Sequence, residues 1–350
     1  MRVQVVGATG YGGLGILELL LQHPAFEVAA LIARDDAGRR IADVYPHLSG
    51  RTELAVEAPS AAAIGAGCDV VVFATPDRVS MGYAPALADA GVRFLDYSGD
   101  FRFDSAAKYA AYAERHPSID DAKHRAEALL GRATYGVPEL YRDSIAGAPI
   151  VGNPGCFAVG ITLGLAPLFA DGLVAGGHAI VDGLTGSSGA GKKPSPVQHF
   201  SHLNDNVVPY RVFSHQHVVE AELTLGALAG GPARIDFVPH LLGATRGILS
   251  TMHVTLERSA SREALLGRYR EFYADAPFVR VLETPPTLKE TAGSNYCDIS
   301  LVTTPDERRA VVISSIDNLL KGQSGNALQN LNLMFGLEQT LGLERPPLYP

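Results

Sequence analysis

The chain has 350 residues, 47% hydrophobic and 19% charged, which is enough for two domains with cores of their own. A net charge of -8 argues against a nucleic-acid or anionic-membrane surface. Three cysteines, Cys68, Cys156 and Cys297, make no disulfide framework and suit a reducing compartment. No apolar run is long enough to span a bilayer. The start enters a strand pattern directly and reaches Gly7 too soon for a signal peptide, so a cytoplasmic location is expected.

Val3 to Val6 predicts a short buried strand, followed by the loop Gly7-Ala8-Thr9-Gly10-Tyr11-Gly12-Gly13. Leu14, Leu17, Leu20 and Leu21 then mark one face of a helix. Glu27–Ala33 reads as a second strand ending at Arg34, with Val70–Ala74 and Arg93–Asp96 as further strands and Met81–Ala90 as a helix between them. This alternation predicts a parallel sheet covered on both faces, a Rossmann-type α/β domain over residues 1–151. Asp104 to Arg132 is a charged, Ala-rich excursion, expected to be helical and peripheral. After about Val151 the pattern changes to strand-like runs at Ala179–Leu184, Arg234–Val238, Leu249–Leu256, Asp298–Val302 and Arg309–Ser315. Helical patterns remain at Val218–Leu228 and Arg262–Tyr273. This predicts an α+β domain over residues 152–325 with a largely antiparallel or mixed sheet. Asn326 to Leu341 reads as an amphipathic helix, and residues 326–350 are expected to rejoin the first domain.

Gly7, Gly10 and Gly13 lie between a strand and a helix, where glycine lets the backbone turn sharply against a pyrophosphate and the helix N-terminus supplies N–H donors. Thr9 and Tyr11 belong to the same expected site. An acid at the end of the second strand would bind the ribose of NAD, whereas an arginine accommodates the 2′-phosphate of NADP. Arg34 comes first here, with Arg39 and Arg40 behind it, which favours NADP; Asp35 keeps NAD open.

Gly152-Asn153-Pro154-Gly155-Cys156-Phe157 sets a cysteine behind a Pro-Gly turn and ahead of an apolar run to Phe169. At the first turn of a buried helix, unpaired N–H groups and the helix dipole favour a thiolate, the nucleophilic form. Its proton carrier is expected to be His217 of Ser214-His215-Gln216-His217, with Glu220 three residues on and able to share its helix face. His199, His202, His215 and His217 have no acidic or cysteine ligand at close spacing, so no metal is expected. His23, His116 and His124 read as surface residues, and Cys68 and Cys297 as packing residues. A second glycine-rich loop, Thr185 to Lys193, lacks the Walker spacing, yet its N–H groups and hydroxyls suit the oxygens of an acyl phosphate. Ser187 and Gly189 are assigned to cofactor binding, and Lys192 and Arg246 to the substrate.

These residues resemble the N-acetyl-γ-glutamyl-phosphate reductase family, NADP-dependent enzymes of arginine biosynthesis. The resemblance covers nearly the whole chain. It is carried by the Gly7–Gly13 loop, Pro46-His47-Leu48, Ser98-x-Asp100-Phe101-Arg102 and Tyr135-Gly136-Val137-Pro138-Glu139-Leu140. Gly152–Phe157 is the most specific match, and His215-x-His217-x-x-Glu220, Pro239-His240-Leu241 with Arg246-Gly247, Ile316–Gly322 and Asn326-Ala327-x-Gln329-Asn330-x-Asn332 follow in order. It implies a glyceraldehyde-phosphate-dehydrogenase-like catalytic domain, with Cys156 as nucleophile, His217 as acid/base and Glu220 positioning the histidine or the substrate. It places Asn318 near the nicotinamide and Arg102 and Asn153 at an acyl-phosphate substrate, and it implies a homo-oligomer, a tetramer or a dimer. The sequence departs from the family pattern at Val159, at Thr75-Pro76-Asp77-Arg78, and at Gln216, where an arginine is usual. Three other readings stay open: an aspartate-semialdehyde dehydrogenase, a reductase of carrier-bound aminoadipate or glutamate, and a non-catalytic NADP-sensing protein.

Overall fold

The computed structural model describes residues 1–349. They form two units: Met1–Pro154 with Gln323–Glu344, and Gly155–Gly322 with residues 345–349.

The first unit alternates strands and helices in the order β1 (Arg2–Val6), α1 (Tyr11–Leu20), β2 (Glu27–Ile32), α2 (Ile41–Val44), β3 (Val56–Glu57) and β4 (Val70–Phe73). It continues with α3 (Ser80–Asp89), β5 (Arg93–Asp96), α4 (Ala106–Arg115), β6 (Ala133–Tyr135), α5 (Pro138–Ile145) and β7 (Ile150–Gly152). The seven strands lie in the order β3-β2-β1-β4-β5-β7-β6, all parallel. Every residue of β4 is buried, as expected of a strand covered on both faces.

The excursion is less peripheral than its charge implies. Tyr109 and Tyr112 of α4 are fully buried, and His124 is buried with Nε2 2.8 Å from the Asp100 carbonyl. His23 is buried too, so two of the three histidines expected at the surface are interior. The C-terminal helix is also shorter than its leucine spacing implies. It runs Gly325–Met334 and stops in a glycine cap: Gly336 takes φ 68, the Leu337 N–H donates to the Asn332 carbonyl and the Gly336 N–H to that of Leu333. Buried amide nitrogens of this helix find acceptors. Asn326 and Asn330 each donate to the Gly136 carbonyl and to Asn153 Oδ1, which accounts for a polar helix inside the unit.

The second unit opens with α6 (Cys156–Ala170) and β8 (Val174–Gly186), then α7 (Phe200–Leu203), β9 (Val207–Pro209), α8 (His217–Ala229), β10 (Arg234–Leu242) and β11 (Ile248–Leu256). It closes with α9 (Arg262–Phe272), β12 (Val279–Val281), β13 (Cys297–Thr303) and β14 (Arg309–Ile316), before α10 (Gly325–Met334) returns the chain to the first unit. Its sheet is ordered β12-β13-β14-β11-β8-β10-β9 and is mixed, with β8/β10 and β12/β13 parallel and the other pairs antiparallel. Alternating burial along β10 and β11 shows that one face is covered, and α6 packs there on β11, β14 and α8.

Helix α6 is buried from Phe157 to Phe169 despite an internal proline. Pro167 has no N–H to give the Leu163 carbonyl; the Tyr273 hydroxyl donates to it instead at 2.5 Å, and the Tyr269 hydroxyl donates to Gly164 at 2.6 Å. These bonds fix the helix whose first residue is Cys156.

Candidate active site

In the first unit β1 pairs with β2 on one side and β4 on the other, so the strand order reverses at β1. A crevice beyond the carboxyl end of that strand is where open α/β sheets bind ligands. The loop from Gly7 to Gly10 fills this position, with Gly10 capping α1 and Tyr11 starting it. Gly7 has φ 86, and a Cβ there would lie 2.2 Å from the Ala74 carbonyl oxygen, so only glycine fits. Thr9 is buried and its carbonyl accepts from the Tyr45 hydroxyl at 2.7 Å, while Gly13 packs on the Gly7 carbonyl. This tight turn into a helix N-terminus fits a dinucleotide pyrophosphate. Arg34 follows β2 and is exposed. Arg39 and Arg40 bond acids of their own: Arg39 meets Asp36 at 2.7 Å, and Arg40 meets Asp43 and Glu53, each at 2.8 Å.

Beside this loop the Ser98–Arg102 motif builds a buried acidic cluster. The Ser80 hydroxyl lies 2.9 Å from Asp96 and 3.0 Å from Asp100, and the Arg78 N–H reaches both oxygens of Asp100. One hydroxyl proton cannot serve two carboxylates, so both Ser80 bonds form together only when one carboxyl of the pair is protonated. Burial, and for Asp100 also the charge of Asp96, pushes Asp96 up to about 6 and Asp100 up to about 7. The variant Thr75–Arg78 loop has its own ties: Asp77 accepts from the Gly99 N–H at 2.9 Å and the Tyr112 hydroxyl at 3.0 Å.

In the second unit Cys156 is the first residue of the fifteen-residue α6, capped by Gly155, and is partly exposed. Free N–H groups of a first helical turn and the helix dipole favour negative charge at such a place. The His217 ring lies against Gly155, where a Cβ would come within 2.4 Å of its Cδ2 and Nε2. Glu220 is buried, and its Oε2 accepts from the Gly155 N–H at 2.9 Å. That bond braces the cysteine turn itself, a task the sequence reading had not given Glu220. His215 is buried among Phe157, Tyr210, His217 and Phe237, with Nδ1 3.2 Å from the His217 N–H that donates to it.

Cys156 and His217 share the lining of one cavity of about 360 Å³ with Thr185, Gly186 and Gly189 of the second glycine loop. Tyr210, Arg211 and Gln216 also line it, and Phe157, Val197, Val208 and Leu241 give it apolar walls. Burial, with Cys156 adding to it when ionised, pushes the Tyr210 phenol up, so it stays a donor at neutral pH. Tyr210 and Arg211 escaped the sequence reading. Their only sequence cue is that they stand just before His215 in the loop ending at α8.

Several expected ligand residues also bond within the protein. Asn153 is buried, donates to the Gln323 carbonyl and accepts from Asn326 and Asn330. Arg102 donates to the carbonyls of Asn153 and Tyr97. Asn318 Nδ2 donates to Ser188 Oγ at 3.0 Å and its Oδ1 accepts from Gly247, so it anchors the second glycine loop. The Ser187 hydroxyl donates to the Ala244 carbonyl, and Arg246 pairs with buried Asp317 at 3.4 Å. Lys192 is exposed and is not among the cavity-lining residues. Cys297 is buried in β13, as expected of a packing residue; burial of Cys68 pushes its thiol up to about 11. Among the described residues no group of three His, Cys, Asp or Glu is placed to hold a metal ion, and no helix is long and apolar enough to cross a membrane.

Comparison with known proteins agrees with this two-part arrangement. Residues 2–148 match the family described as semialdehyde dehydrogenase, NAD binding domain, and residues 156–318 match semialdehyde dehydrogenase, dimerisation domain. The first domain thus binds a nicotinamide cofactor. A solved aspartate semialdehyde dehydrogenase II from Vibrio cholerae superposes with TM-score 0.70 at 17% identity, over 95% of this chain and 97% of the other, and so shares the fold. Another such enzyme, from Candida albicans with NADP, gives TM-score 0.69 at 17% identity over 95% and 98% of the two chains. The N-acetyl-γ-glutamyl-phosphate reductase of Symbiobacterium thermophilum is 44% identical over 100% of this chain and 99% of its own length. That of Desulforudis audaxviator is 41% identical over the full length of both. Identity of this extent, end to end, makes the chain a member of the N-acetyl-γ-glutamyl-phosphate reductase family.

Proposed function

We propose that the chain reduces N-acetyl-γ-glutamyl phosphate to N-acetylglutamate 5-semialdehyde and phosphate, using NADPH, through a thioester on Cys156 in arginine biosynthesis. The observation that carries this reading is Cys156 at the first turn of α6, lining one cavity with His217. The Cys156 sulfur attacks the acyl carbon; the carbon–oxygen bond to phosphate breaks and phosphate leaves with the electron pair. A nicotinamide cofactor, when bound, supplies the hydride that reduces the thioester. His217 gives a proton to the carbonyl oxygen as charge builds there, and takes it back as the carbon–sulfur bond breaks and the thiolate departs. Splitting the reaction at a covalent stage replaces one difficult step with two easier ones. Glu220 keeps the turn in place through the Gly155 N–H, and the N–H groups of the α6 first turn face developing oxyanions.

Arg34 at the end of β2 supports NADP over NAD, since a guanidinium accommodates a 2′-phosphate. The dimerisation-domain match supports a homo-oligomer. A cytoplasmic setting is in keeping with three cysteines that are all thiols. The test is phosphate-dependent NADP reduction by N-acetylglutamate semialdehyde, measured beside aspartate semialdehyde. The acetylated substrate is expected to be favoured strongly; equal or faster turnover of aspartate semialdehyde overturns the assignment.

A further inference from the structure

We infer that Arg211 fixes a substrate oxyanion in the cavity, with Gln216 as its positioning residue. This rests on the acyl-phosphate reading above. Among the residues lining the cavity, Arg211 is the only one whose charge is permanent. The walls formed by Phe157, Val197, Val208 and Leu241 are apolar. An anion entering such a space loses hydration and needs a charged partner there. A guanidinium fork matches a carboxylate or a phosphate with two parallel hydrogen bonds.

The backbone around Arg211 is built to hold it. The Tyr210 N–H donates to Pro239 at 3.0 Å and the Phe213 N–H to Phe237 at 3.1 Å, which pins the segment to β10 on both sides of the turn. Arg211, between these anchors, takes φ 46 and the anchor Phe213 φ 56, left-handed conformations that non-glycine residues seldom adopt and that cluster at functional sites. Arg211 Nη1 then donates to Gln216 Oε1 at 2.5 Å, and Nη2 to the Ser214 carbonyl at 3.5 Å. Gln216 immediately precedes His217, so one short contact sets the guanidinium relative to the start of α8. The oxyanion has two sources, the substrate's own carboxylate and its phosphate.

The experiment measures KM for N-acetylglutamate semialdehyde and for inorganic phosphate separately, in the oxidative direction. Arg211→Ala is expected to raise one of them about tenfold or more, with kcat changed much less, the size of a lost charged hydrogen bond. A rise confined to phosphate assigns Arg211 to the phosphate; a rise confined to the semialdehyde assigns it to the carboxylate. Arg211→Lys should recover part of the loss. Gln216→Ala, which leaves the guanidinium but removes its support, should raise the same KM less, and it carries the test if Arg211→Ala does not fold. Both constants within twofold of wild type in variants of unchanged Tm overturn the inference. Failure of the wild-type protein to turn over this semialdehyde would instead overturn the proposed reaction.

Discussion

Gly155→Ala isolates the geometry of the cysteine turn. Gly155 has φ -70 and ψ 145, angles open to alanine, so the substitution acts through space and not through backbone strain. The new Cβ would stand 2.4 Å from Cδ2 and Nε2 of His217. Ordinary contact between such atoms is about 3.5 Å, so the ring must move roughly 1 Å or more, away from the residue preceding Cys156. The Glu220 bond to the residue 155 N–H involves only backbone at that position and is retained, so the turn itself should persist. A misplacement of about 1 Å between reacting groups costs on the order of a hundredfold in rate, about 2.7 kcal/mol of barrier. The assay is phosphate-dependent NADP reduction with N-acetylglutamate semialdehyde, with Tm as the control for folding. A Gly155→Ala protein of unchanged Tm and near wild-type kcat/KM would refute the idea that contact of His217 with this turn matters to the chemistry.

The buried Asp96–Asp100 pair gives a stability prediction. Both carboxyls titrate above the ordinary aspartate value in the folded state, so between about pH 4 and 7 the folded chain holds more protons than the unfolded one. Folded-state stability contributed by this pair is therefore greatest at the acid end of that window and falls as pH rises through it. Asp100→Asn should flatten this slope in denaturant midpoints measured at pH 5 and pH 7.5; an unaltered slope counts against raised titration of the pair. For the cofactor, Arg34→Ala should raise KM for NADP about tenfold or more and leave that for NAD nearly unchanged, as expected when one charged contact to a 2′-phosphate is lost. Equal effects on both cofactors would remove Arg34 from that role.

Much of the fold is legible because its periodicities are strong. The all-buried run of β4, the glycine loop after β1 and the alternation along β10 and β11 each follow from which faces are covered. The C-terminal helix was overrun because leucine spacing continues past Gly336, whose left-handed cap is what ends it. Cys156 is singled out by one motif and His217 with Glu220 by another, but the Gly155 N–H that Glu220 accepts from, 65 residues earlier, has no sequence mark. Asn153 and Arg102 share the same difficulty. The sequence does not reveal that their side chains also bond to the carbonyls of Gln323 and Tyr97. Arg211 was missed because it reaches the cavity through a left-handed turn that no spacing rule predicts.

The central claim is the thioester on Cys156, and rapid-quench mass spectrometry of the protein mixed with N-acetyl-γ-glutamyl phosphate without cofactor tests it most directly. The account predicts one acyl group on the peptide containing Cys156, released by hydroxylamine and absent from Cys156→Ser. An unmodified Cys156 in a protein that still turns over, or near wild-type NADPH-dependent turnover by Cys156→Ser, would contradict it.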